Sequence, residues 1–128
     1  MINGVSKVVV EVEDQDRAKE FWTGTMGFEV VQDSPYGEER WLEVRTPDKN
    51  IIMVLSVRRG PSARSWSIPE SLPTSSVLFY CDDLQQTYQE LTARGVEFAQ
   101  PPVQMPFGWW SMFRDPDGTR YALTPRGQ

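Results

Sequence analysis

The stretch GWWSMFRDPDGTRYALT, residues 108–124, reads as strand, tight turn, strand. WWSMFR and TRYALT carry strand-forming residues, and the DPDG between them is a strong turn signal. Successive side chains of a strand point to opposite faces, so Trp109 and Trp110 cannot both pack under one helix. Trp109 shares a face with Ser111 and Phe113; Trp110 shares one with Met112 and Arg114. Phe113, just before the turn, reads as core. That predicts Trp109 packed beneath a helix and Trp110 and Met112 on the opposite face, with Phe107 crowding the same loop. Flat aromatic walls with a polarizable methionine are what a site for a flat aromatic ligand needs.

Upstream of this hairpin, SSVLFYC reads as a strand, Asp83 as a helix N-cap, and Leu84, Tyr88 and Leu91 as one helix face; Gly95 ends the helix and VEFAQ starts a strand. The first half has the same plan. SKVVVEVE is a strand and Asp14 an N-cap. Ala18, Phe21, Trp22 and Thr25 recur at helical spacing, Gly27 closes the helix and FEVVQ follows. RWLEVRTP and NIIMVLSV are two further strands joined by a Pro-Asp-Lys-Asn turn. The order β-α-β-β-β thus occurs twice, with the two aspartates and the two glycines each about 70 residues apart and GFEV and GVEF after the glycines. The expected fold is α+β: two βαβββ modules at about 1–59 and 75–128, each a mixed sheet with one helix outside, joined by an irregular, surface-lying linker at about 60–74. Two bare sheet faces set against each other would enclose a cleft, and function is expected there.

With 128 residues the chain suits one domain or two small similar halves. A net charge of −5 and no Lys/Arg stripe argue against nucleic acid, since Arg58, Arg59 and Arg64 are too few and too interrupted; the acidity modestly favours a cationic ligand. No run is long enough to span a bilayer and no N-terminal signal pattern is present, which predicts a cytoplasmic protein without membrane contact. The chain has no histidine, which removes the commonest general base and the commonest transition-metal ligand. The one cysteine, Cys81, excludes an intrachain disulfide and reads as a buried core thiol.

VVVEVEDQDRAKEFW…MGFEV and VLFYCDDLQQTYQELTARGVEFAQPP…FGWWSMFRDPDGTRYAL resemble the vicinal oxygen chelate superfamily, which holds glyoxalase I, extradiol dioxygenases, fosfomycin-resistance enzymes and bleomycin-resistance proteins. The resemblance covers nearly the whole chain except the linker. Metal-dependent members carry ligands at four strand positions, which here fall on Lys7, Val54 (give or take one), Ser76 and Ala122. Apart from a weak hydroxyl at Ser76, none is an ordinary metal ligand, and the Lys7 ammonium would repel a cation. The resemblance therefore implies a metal-free, cofactor-free branch of mainly ligand-sequestering proteins, which bind a toxic aromatic natural product unaltered, typically as homodimers whose clefts use both chains.

With Lys7, Ser76 and Ala122 facing the cleft, alternation adds Val9, Glu11, Leu78, Tyr80, Arg120 and Thr124, and leaves Val8, Val10, Val77, Phe79, Tyr121 and Leu123 as core. Lys7 and Glu11 read as an ion pair or as polar anchors for a ligand. Trp41, Glu43 and Arg45 share one face of the third strand, opposite Leu42 and Val44. Trp22 reads as core, and Trp66 in the linker as a lid or a surface packing residue. The expected ligand-binding set is Lys7, Glu11, Trp41, Glu43, Trp66, Tyr80, Phe107, Trp110 and Met112, with no catalytic and no metal-ligating residue. The leading expectation is a metal-free binding protein that sequesters an aromatic natural product or antibiotic. The alternatives are a metal-independent isomerase or cyclase of natural-product metabolism, with Glu11 or Glu43 as a base whose pKa burial raises, a lyase or dioxygenase should a metal be found, and a structural module without a small ligand.

Overall fold

Valines at 8, 9, 10 and 12 favour a pleated, half-buried surface and open the fold as strand β1, Val8–Val12, with Val10 and Val12 buried and Val9 and Glu11 exposed. The computed structural model describes residues 1–60 and 68–127, so Trp66 and Arg64 lie outside the described residues. The chain divides into two compact units, Met1–Gly60 and Pro61–Gln128.

In the first unit β1 is followed by α1, Gln15–Lys19, then β2, Glu29–Tyr36, β3, Glu39–Arg45, and β4, Ile52–Val57, in the sheet order β1-β4-β3-β2. β1 pairs parallel with β4, and the other pairs are antiparallel. In the second unit β5, Leu78–Cys81, α2, Leu84–Ala93, β6, Phe98–Met105, β7, Gly108–Arg114, and β8, Arg120–Pro125, give the order β5-β8-β7-β6 with the same one parallel pair. The expected βαβββ plan is present twice, in an α+β fold. No helix among the described residues is long and apolar enough to cross a membrane.

Both helices start where expected. Asp14 Oδ1 accepts from the Arg17 amide at 3.0 Å, and Asp83 Oδ1 from the Gln86 amide at 3.0 Å, each satisfying an otherwise orphaned helix donor. Gly27 and Gly95 follow the helices with φ of 80° and 91°, the left-handed conformation glycine adopts without steric cost. The first helix is less regular than its periodicity implies. Its second part, Glu20–Thr25, is π-helical, and it still buries Trp22, which packs its ring edge-on against Phe21 at 5.1 Å and beside Phe28 at 5.2 Å.

The core expected at Leu42, Val44, Phe113, Tyr121 and Leu123 is observed, and Met53 and Leu55 of β4, to which the sequence assigned no face, join it. Leu42, Val44, Met53 and Leu55 are fully buried beneath the first helix, which packs on β4. In the second unit Phe79, Phe98, Phe113 and Tyr121 form a ring cluster, with Phe113 and Tyr121 stacked at 5.3 Å, and Tyr88 of α2 meets Phe98 edge-on at 4.8 Å. Two expectations need correction. Cys81, at the end of β5, is half-buried rather than core. Residues 68–74 of the expected linker are irregular but tethered: Arg120 donates to the carbonyls of Leu72 and Pro69, both at 2.9 Å, and the Thr74 and Ser75 amides donate to Arg120 O. Arg120 is therefore buried, not open to a ligand, because its guanidinium satisfies these carbonyls.

The DPDG turn folds on Asp115. Its Oδ1 accepts from the amides of Asp117 at 2.9 Å and Thr119 at 3.0 Å, and its Oδ2 from the Tyr121 hydroxyl at 3.0 Å. This buried carboxylate ties the turn to the ring cluster. Prolines 35, 101 and 102 lie in β2 and β6, the edge strands, where the missing N–H costs no ladder bond; β6 also bulges around its prolines.

Candidate functional site

The strand registers define two equivalent sheet faces turned away from the helices. In the first unit Val9 pairs with Val54 and Val54 with Glu43; in the second Leu78 pairs with Ala122 and Ala122 with Met112. Counting outward from these rows, Lys7 corresponds to Ser76, Glu11 to Tyr80, Trp41 to Trp110 and Arg45 to Arg114.

In the first unit the structure brings Lys7, Trp41 and Glu43 together. Glu43 is 2 % exposed although it is charged. Lys7 Nζ donates a charged hydrogen bond to Glu43 Oε2, and Trp41 Nε1 donates to the same oxygen at 2.7 Å. Nζ also stands 5.9 Å from the Trp41 ring centroid, within cation–π range. Tyr36, at the tip of the β2–β3 hairpin, lies 6.1 Å from Trp41, ring to ring. Burial alone would raise the Glu43 pKa, as expected for a buried base. The Lys7 hydrogen bond outweighs burial, and the Trp41 donor assists it, so the pKa is lowered. Glu43 is held as a carboxylate rather than poised to take a proton.

Glu11 is not the partner of Lys7. It is exposed and lies 3.9 Å from Arg58, whose guanidinium is also bonded to Glu13. Lys7 and Glu11 share a face but lie four residues apart, about 13 Å along extended chain, so Glu11 cannot compete with Glu43 for the ammonium. Arg45 donates to Glu29 at 2.7 Å, while its Nε is buried without an acceptor among the described residues.

In the second unit Trp110, half-buried, meets Phe107 edge-on at 5.6 Å, and Met112 is 1 % exposed on the same face as Ala122. Trp109 is 38 % exposed, so the expectation that it packs as core under the helix fails. It occupies the Ser111 and Phe113 face as alternation requires, but near the hairpin end of β7, where it pairs with Gln104, beyond the ring cluster. Tyr80, on edge strand β5, is exposed beneath the Arg126 guanidinium, 4.7 Å from the ring, and Arg126 is also held by Asp82 at 2.9 Å. Phe107 is exposed at the β6–β7 turn. Of the expected set, only Trp66 lies outside the described residues.

Sequence reasoning passed over Tyr36 and Arg126 and gave Arg45 no role. A signal for the first exists: Tyr36-Gly37 and Phe107-Gly108 both put an aromatic and a glycine at the hairpin before the strand tryptophan. Nothing in the sequence marks Arg126 as the cover of Tyr80.

The four positions used for metal by the resembled family do not fit a divalent ion here. Val54 and Ala122 place buried hydrocarbon, and Lys7 places an ammonium already bonded to Glu43. The described residues contain no group of three or more histidine, cysteine, aspartate or glutamate side chains able to hold a metal.

A family model described as Glyoxalase/Bleomycin resistance protein/Dioxygenase superfamily matches residues 4–123. YetH, an uncharacterized protein of Bacillus subtilis (strain 168), is 36 % identical over 127 residues, covering 96 % of this chain and 98 % of its own. Among solved structures, UcmS2 is 35 % identical with a TM-score of 0.75, covering 96 % of this chain and 98 % of its own. TnmS3, an antibiotic binding protein from Streptomyces sp. CB03234, is 31 % identical with a TM-score of 0.71, covering 97 % of this chain and 99 % of its own.

Proposed function

Because the chain belongs to the Glyoxalase/Bleomycin resistance protein/Dioxygenase superfamily, we propose that it is a member that binds rather than transforms: a metal-free, cytoplasmic homodimer that sequesters an aromatic natural product or antibiotic. The observation that carries this reading is the pair of equivalent sheet faces, each offering an indole (Trp41, Trp110), while the positions where metal-dependent relatives would need ligands hold Lys7, Val54, Ser76 and Ala122. Indoles offer a large, rigid, partly apolar contact at low entropy cost, which suits a flat ligand. The likeness to TnmS3, an antibiotic binding protein, supports the ligand class. A catalytic reading needs a base or a metal, and Glu43, neutralised by Lys7, supplies neither.

The test is a thermal-shift and tryptophan-emission screen against a panel of aromatic antibiotics, with and without EDTA, followed by recovery of the bound compound. Binding raises the melting temperature by mass action. A shift that survives EDTA with the compound recovered unchanged is expected. A product in place of the compound, or stoichiometric metal whose removal abolishes the shift, overturns the reading. Light scattering should give twice the chain mass.

A further inference from the structure

Resting on the small-molecule reading above, we propose that Lys7 is the polar anchor of the ligand, and that the ligand is a planar aromatic bearing an anionic or strongly accepting oxygen, such as a carboxylate, phenolate or conjugated carbonyl. The chain's net charge points the other way, towards a cation. The local arrangement reverses it.

Glu43 is the buried carboxylate of this face, and it is already engaged. Lys7 Nζ and Trp41 Nε1 both donate to its Oε2. A cationic ligand would have to displace the ammonium from it. Lys7, by contrast, has donors to spare. An ammonium carries three N–H bonds, and the side chain is 37 % exposed with Glu43 as its hydrogen-bond partner. Arg45 adds a second donor. Its Nε is buried and lacks an acceptor among the described residues, and the residue pairs with Ile52, the neighbour of Met53, while Lys7 precedes Val8, the partner of that same Met53. Lys7 and Arg45 thus flank Ile52 on one row of the face. Each cation has one carboxylate, Glu43 for Lys7 and Glu29 for Arg45, but only Glu43 is buried, and Glu29 is exposed to solvent. An oxygen bound at Nζ sets its attached ring beside the Trp41 indole, whose centroid is 5.9 Å from Nζ, with Tyr36 next to it. A charged hydrogen bond and a stacking surface are then adjacent. In the second unit the equivalents of Lys7 and Glu43 are the uncharged Ser76 and Met112, and the equivalent of Arg45, Arg114, faces Glu70 and Glu97, so the ammonium anchor is found in the first unit.

The test uses two naphthalenes of similar shape and opposite charge, 2-naphthoate and (2-naphthyl)methylammonium, titrated against the full chain with tryptophan emission and calorimetry. Wild type is expected to bind the naphthoate at least tenfold tighter. Lys7→Met should weaken naphthoate tenfold or more and reverse the preference, because Glu43 is then free to take the cation. Lys7→Arg should retain the preference. Glu43→Gln should tighten naphthoate severalfold, since it removes the competing acceptor, and Arg45→Met should weaken it severalfold. A merely structural ion pair would make Lys7→Met and Glu43→Gln lose binding equally, which overturns the anchor, as does equal affinity of wild type for both probes or no binding of either. Equal affinity leaves the binding-protein reading standing; the absence of any shift with the antibiotic panel defeats that reading separately.

Discussion

Residues 41–45, WLEVR, and residues 110–114, WSMFR, occupy the same place in their two sheets: tryptophan at the hairpin end, an arginine at the other, and one residue between them on the face away from the helix. That middle residue is Glu43 in one and Met112 in the other, 2 % and 1 % exposed. The first unit thus places a carboxylate at a nearly fully buried position and compensates it with Lys7 and the Trp41 N–H; the second fills the same position with thioether and needs no partner. On the helix side the difference runs the other way. Leu42 and Val44 give the first unit a small aliphatic layer, whereas Ser111 and Phe113 give the second a hydroxyl bonded to Leu123 O at 2.8 Å and a stacked ring. The ladder closure differs too. The Gln15 amide bonds the carbonyls of Arg40 and Leu55, beyond the last β3–β4 pair, while the Ser111 hydroxyl does comparable work within β7 and β8. One backbone plan therefore supports an electrostatic face in one copy and an apolar one in the other. Register dictates which side a residue faces, but not its chemistry.

The largest expected effect breaks the aromatic side of this comparison. Phe113→Ala removes a buried ring in contact with Phe79, Phe98 and Tyr121, and should cost about 3–5 kcal/mol in urea unfolding. A cost below about 1 kcal/mol would mean that the second unit does not depend on its rings.

Next in size is the ion pair. Lys7→Met leaves Glu43 buried without its cation. Because Lys7 is partly exposed, the cost should fall between that of a surface pair and a fully buried one, about 2 kcal/mol, whereas Ser76→Ala at the equivalent position should stay within about 0.5 kcal/mol. Equal costs would erase the distinction between the faces.

The two units should also respond oppositely to acid. The Glu43 pKa is lowered by its hydrogen bond to Lys7, so its stabilisation is full above the unfolded value of about 4.3 and is lost as pH falls through the folded value. The Asp115 pKa is raised by burial, so its ionised form opposes folding, and protonation on descending through the raised value relieves that cost. Hydrogen exchange followed by mass spectrometry from pH 6 to 3, corrected for intrinsic rates, should show β3 losing protection before the Asp115 turn. Lys7→Met should remove the β3 response; loss of protection at the turn first would contradict it.

The smallest effects separate the neighbouring tryptophans. Trp110→Ala should weaken a bound member of the aromatic antibiotic panel by roughly threefold to tenfold, since an aromatic contact contributes about 0.5–1.5 kcal/mol beyond area. Trp109→Ala, at a residue 38 % exposed, should leave that affinity unchanged and lower stability by less than about 1 kcal/mol, both read in one titration and one melt. A larger loss from Trp109→Ala would place the ligand on the other side of β7.

The doubled βαβββ plan, both helix caps, both terminating glycines and the core faces of β3, β7 and β8 were legible in the sequence, because each rests on local spacing. An aspartate before a helical run, a glycine where φ turns positive and a two-residue alternation are properties of a few consecutive residues. The π-helical segment after α1 was not legible, since it keeps the same apolar residues in contact with an altered hydrogen-bond pattern. Alternation assigned Trp109 to its face but not its depth, which depends on how far along β7 the ring cluster reaches. Partners were the least legible of all. Lys7 is close in sequence to Glu11 and 36 residues from Glu43, yet the ammonium goes to Glu43, because the β1-β4-β3 order brings those two strands within reach through Val54. Arg120 is buried for the same reason, claimed by carbonyls some 50 residues upstream. Which side of a strand a residue occupies is determined by its neighbours in the chain; which charge it meets there is decided only when distant strands align.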